Sequence, residues 1–170
     1  MNWLRYCGIA MLALSCALGG IWAGQRCKRR VFELERACSL LSGLLRQMKY
    51  TLAAPPTLLD QLAAQPEYAQ CDYLLDAREG LAQGLPFLQA WENAVRNSEA
   101  ALNRDDRTVL AQIGAFLGMS DLETQDSQLS LLAEQLAARL AAARDKTESS
   151  AKLSSTLGAL LGLALAVLII

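Results

Sequence analysis

Apolar side chains recur through residues 34–52 at Leu34, Cys38, Leu41, Leu45, Met48 and Leu52, and this alternation of three- and four-residue steps draws one stripe down a helix. Gly43 is the sole glycine or proline of residues 25–48, so the helix extends back toward the chain start and forward until Pro55 and Pro56 end it. A second stripe is formed by Leu122, Leu129, Leu132, Leu136, Leu140 and Ala143, with no proline or glycine from Asp121 until Gly158. Ser120 followed by Glu123 opens this longest helix as a capping box. Between the stripes the pattern predicts short helices. Thr57 with Asp60 caps one to about Ala64, and Pro66 closes it; a third covers residues 67–79 and stops at Gly80. Pro86 starts a fourth that passes Trp91 and ends near Arg96, and Asn103 caps a fifth that reaches Leu117, with Gly118 as its left-handed stop. Nothing alternates with the period of a strand. The expectation is an all-α bundle in which two long helices pack through their stripes and short helices bridge them at the far end.

The ends of the chain change that picture. Residues 6–25 and residues 153–170 carry no charge. At about 1.5 Å per residue the second stretch reaches roughly 27 Å, close to the ~30 Å hydrocarbon core of a bilayer. The expected organisation is an N-terminal transmembrane helix (1–25), a central helical-bundle domain (26–152) and a C-terminal transmembrane helix (153–170). A cleavable signal peptide fits poorly, because Ile21, Trp22 and Ala23 are badly arranged for cleavage and Arg26, Lys28, Arg29 and Arg30 resist translocation. A lipoprotein reading of Ala13, Leu14, Ser15 and Cys16 fails on the bulk of Leu14. Small residues stand at every fourth position in both stretches: Cys16, Gly20 and Gly24 in the first, Ser154, Gly158, Gly162 and Ala166 in the second. Such rows let helices approach closely in lipid.

Charge is segregated. Residues 25–50 hold seven basic and two acidic groups, residues 51–138 four and thirteen, and residues 139–152 four and two. The net values are +5, −9 and +2. The cluster Arg26, Lys28, Arg29 and Arg30 puts the central region in the cytoplasm by the positive-inside rule and forms a basic collar facing lipid headgroups. The acidic distal part gives no reason to expect nucleic acid.

The 170 residues include no histidine, which removes the usual general base and zinc ligand. Five cysteines, with no CxxC pair, do not make a disulfide scaffold. Asp105 and Asp106 beside Arg104 and Arg107 imitate a paired-carboxylate site, but no apolar pocket or metal-ligand partner accompanies them. No catalytic residue, cofactor, metal or small-molecule substrate is expected. Gly84, Leu85, Pro86, Phe87, Ala90 and Trp91 form an aromatic cluster suited to core packing. The tract 113–121 contains a helix stop and a helix start, an elbow where Asp121 and Gln125 either stabilise a helix end or meet a partner.

At this elbow the pattern Ala90, Trp91, Leu102, Asp105, Leu110, Gly114, Leu117, Gly118, Asp121, Gln125 and Leu129, enclosed by two terminal membrane helices, resembles the stage III sporulation protein AB family of endospore-forming bacteria. That resemblance implies a subunit of the channel complex between mother cell and forespore, on the mother-cell side of the outer forespore membrane. It also implies an F-domain-like antiparallel bundle similar to the platform proteins of type II secretion, with a cytoplasmic ATPase, the stage III sporulation AA protein, and other membrane subunits as partners. Trp91, Gly118, Asp121 and Gln125 are then the candidate partner contacts, and Gly20, Gly24, Gly158 and Gly162 the transmembrane packing residues. A second reading, from the residues alone, is a small self-assembling holin-like pore in which the glycine rows pack identical copies.

Overall fold

A computed structural model describes the backbone of residues 2–50, 54–117 and 122–169, and the side chains of residues 24–48, 54–117 and 123–150. Six helices follow one another: α1 (Asn2–Tyr50), α2 (Pro55–Ala63), α3 (Asp72–Ala82), α4 (Phe87–Asn97), α5 (Arg104–Leu117) and α6 (Leu122–Ile169). Among the described residues there is no strand. The chain divides into two compact units, one comprising Met1–Arg29 with Ala142–Ile170 and the other Arg30–Ala141. Among the described residues no helix is long and apolar enough to cross a membrane. Residues 153–170, and all of residues 6–25 but the last two, lie outside the described side chains, as do Gly20, Gly158 and Gly162. Of the predicted packing glycines Gly24 is described, and a methyl group built on it meets nothing within 4 Å.

Both long helices exist, and each buries an apolar stripe among the described residues. On α6 the stripe is as the sequence drew it, with Leu129, Leu132 and Leu136 buried and Leu140 half-buried. On α1 it is displaced. Leu34, Ala37, Leu41 and Leu44 are at most 1 % exposed, with Leu40 beside them, whereas Cys38, Leu45 and Met48 flank the seam. The small Ala37 conceals the true register from a pattern that counts large apolar residues.

The short helices correct three boundaries. Pro55 and Pro56 open α2 instead of merely ending α1: they occupy its first turn, where the missing N–H costs nothing, and Ala54 rather than Thr57 is the N-cap. Residues 66–70 form turns, so α3 begins at Asp72 rather than 67. Gly80 lies inside α3, and the stop is Gly84, whose φ of 87° is the left-handed conformation that glycine tolerates. There the Gly84 N–H donates to the Leu81 carbonyl (3.0 Å) and the Leu85 N–H to the Gly80 carbonyl (3.1 Å), the paired bonds of a Schellman motif. Gly80 serves packing instead, because a Cβ there would come within 3.1 Å of the Ala90 Cβ on α4. The fifth helix starts as predicted. Asn103 Oδ1 accepts from the Asp106 N–H (2.7 Å) and Asp106 Oδ2 from the Asn103 N–H (3.1 Å), a reciprocal cap.

Consecutive short helices pack on one another, α2 on α3, α3 on α4 and α4 on α5. Trp91 is at their centre. Its indole is fully buried, meets the Tyr73 ring edge-on at 6.0 Å between centroids, and donates Nε1–H to the Leu110 carbonyl at 2.7 Å. Tyr68 joins this group to α1, donating its hydroxyl to the Ser39 carbonyl (3.0 Å) while lying over Gly43.

Candidate functional site

Asp106 is the fully buried carboxylate among the described residues of the second unit. Its carboxylate is 0 % exposed on α5 and receives a bidentate contact from Arg30 of α1, Nε to Oδ2 at 2.8 Å and Nη2 to Oδ1 at 3.1 Å. Arg139 of α6 approaches the same carboxylate at 3.6 Å and the exposed Asp105 at 4.0 Å. One buried anion is thus held by two cations and a backbone N–H, which is the condition for burying a charge at acceptable cost. The three side chains belong to three helices far apart in sequence. Asp106 and its two arginines thus tie α1, α5 and α6 together as a clamp.

A second polar device governs the α4–α5 junction. Arg107 donates to four carbonyls, those of Val95 (2.9 Å), Arg96 (3.1 Å), Ala100 (3.0 Å) and, more loosely, Leu102 (3.4 Å). These groups end α4 and line the following turn, where a cation also suits the negative end of the helix dipole.

At the elbow, Gln125 is 5 % exposed and donates Nε2–H to the Leu117 carbonyl at 2.9 Å. That carbonyl is the last of α5, so the first turn of α6 satisfies the end of the preceding helix. Gly118 and Asp121 lie outside the described residues. Trp91 sits with Gly114 and Leu110 in the core, and a wholly buried indole presents nothing to a partner. Of the four candidate contact residues, Trp91 and Gln125 are therefore turned into the bundle, one by packing and one by capping. The collar is divided likewise: Arg26, Lys28 and Arg29 are exposed, whereas Arg30, predicted to face lipid, is drawn to Asp106.

Burial perturbs three titrating groups. It raises the Tyr73 hydroxyl well above its ordinary value, with the neighbouring Cys71 adding to the effect, and it raises the Cys71 thiol. Glu33 on α1 is also raised by burial, against the pull of Arg36. The Tyr73 hydroxyl finds no hydrogen-bond partner among the described residues, the nearby Cys71 thiol being too poorly placed to count as one. Cys27, Cys38 and Cys71 are free thiols, and the described residues contain no cluster of three potential metal ligands among His, Cys, Asp and Glu.

The family model described as stage III sporulation protein AB matches residues 5–170, nearly the entire sequence. The chain belongs to that family. It is thereby a sporulation-related protein, and the resemblance seen at Trp91, Gly114 and Gln125 falls on residues that hold the bundle together. Among solved structures, one titled stage III sporulation protein AB (SpoIIIAB) aligns with a TM-score of 0.61 at 23% identity, covering 71% of this chain and 97% of that one. At that identity the likeness concerns the fold. No curated protein sequence matches the chain.

Proposed function

We propose that this protein is a non-enzymatic platform subunit of the channel complex between mother cell and forespore. It is anchored in the membrane by both ends and presents its helical bundle to the mother-cell cytoplasm, where the bundle docks the cytoplasmic ATPase of the AA type alongside other membrane subunits. The observation that carries this reading is the family match, which takes in both charge-free ends as well as the bundle between them. Further support comes from the chemistry of the interior. Asp106, the single fully buried carboxylate among the described residues, is spent on cross-linking helices, as befits a scaffold. The unbroken helical assignment of α1 and α6 offers a route by which a displacement of the bundle reaches the bilayer.

The test is proximity cross-linking in sporulating cells from a cysteine placed at Asp121. An adduct with the ATPase supports docking; a membrane-inserted, folded variant that yields none overturns it. Expression of this chain alone leaves membranes tight under the platform reading, and dye leakage from such cells would favour a holin-like pore instead.

A further inference from the structure

The region 51–138 has four basic residues against thirteen acidic ones, and the structure shows where the four go. Arg78 pairs with Asp60 at 2.8 Å. The remaining three, Arg96, Arg104 and Arg107, line one groove of about 420 Å³ between α4 and α5. Arg96 and Arg104 are exposed and form no ion pair among the described residues. Arg107 is engaged by carbonyl oxygens, so its charge is oriented but not cancelled. Val95, Ala111 and Ala115 are the apolar part of the lining, small enough to admit an apolar ridge, and Glu92 is its one acid.

We infer that this groove docks an acidic amphipathic helix of a partner protein, with carboxylates toward Arg96 and Arg104 and small apolar side chains on Val95, Ala111 and Ala115. Residues 104–115 of α5 span roughly 17 Å, enough to seat about three turns of such a helix. Concentrating the cations of an otherwise acidic region in one trough creates a local potential that selects anionic partners and steers their approach. The net charge of −9 over residues 51–138 disfavours a long polyanion such as nucleic acid more than a short acidic helix confined to the trough. The inference rests on the platform reading only for which protein carries that helix.

Two peptides that differ only in glutamate or glutamine at i, i+4 positions of an alanine-rich helix serve as probes, titrated by fluorescence anisotropy against the full-length protein in detergent. The glutamate peptide binds at least about tenfold tighter at low salt, and the advantage disappears at high salt. Charge reversal of the two exposed arginines, Arg96→Glu with Arg104→Glu, removes that preference, while Arg78→Glu preserves it. Thermal unfolding by circular dichroism certifies the fold of each variant. Equal binding of the two peptides, indifference to the reversal, or tighter binding of a single-stranded oligonucleotide overturns the inference. Loss of the ATPase adduct with peptide binding intact would refute the platform reading and leave the groove standing. The opposite pattern would refute the groove alone.

Discussion

Gly114 lets the Trp91 indole lie against α5: a Cβ at this position would sit 2.5 Å from Trp91 Cδ1, closer than any packed carbon tolerates. Gly114→Ala therefore forces the indole off its bond to Leu110 and destabilises the protein by about 1–3 kcal/mol, read as a fall in thermal midpoint. Tyr73, edge-on to the indole, gives the opposite sign. Its hydroxyl is buried without a partner, so Tyr73→Phe stabilises by about 1 kcal/mol in chemical denaturation. The same substitution alters the response to alkali. Burial favours the neutral forms of Tyr73 and Cys71, so their contribution is fully present below their ordinary values of 10.0 and 9.0 and is lost as pH rises through the higher folded-state values. Tyr73→Phe lacks the tyrosine part of that loss and keeps more of its stability above about pH 10. Asp106 is the residue whose loss is felt by three helices. Asp106→Asn keeps the volume but abolishes the charge-assisted bonds and costs about 1.5–3 kcal/mol, and a double-mutant cycle with Arg30→Met isolates the share carried by that pair.

The helices are legible in the sequence where a stripe is long and where Asn103 caps α5, but not at Thr57, which Pro55 and Pro56 place inside α2. The two long elements and the Asn103 start of α5 follow from periodicity and side-chain chemistry acting within a few residues. The errors fell where local signals had two meanings. Gly80 and Gly84 stand four residues apart, and either could end α3; only the approach of α4, which needs no side chain at Gly80, and the positive φ at Gly84 separate them. Consequently Gly84→Ala costs about 1 kcal/mol through backbone strain, while Gly80→Leu disrupts the α3–α4 seam and shortens amide-exchange protection along both helices. The clamp was illegible for a different reason. Its partners are 76 residues apart on one side, and no local pattern announces a pairing at that range. Asp106 reads as half of an imitated carboxylate pair with Asp105 and Arg30 as a lipid-facing cation, each plausible alone.

At the scale of the whole molecule, the proposed membrane anchoring gives the basic cluster next to the first charge-free stretch two separable tasks. Substituting glutamine for Arg26, Lys28 and Arg29 weakens association with anionic vesicles by about 1 kcal/mol per residue, measured by co-sedimentation, and leaves the thermal midpoint unchanged. Arg30→Gln does the reverse, lowering the midpoint with little effect on vesicle affinity. The outcome separates headgroup attraction from fold stability within the five positions 26–30.

The clamp also sets an order of events during synthesis. Arg30 leaves the ribosome first, Asp106 follows 76 residues later, and Arg139 is the last of the three. The buried carboxylate can therefore acquire both of its cations only once α6 has emerged, and the nascent bundle waits, incomplete, until that helix arrives.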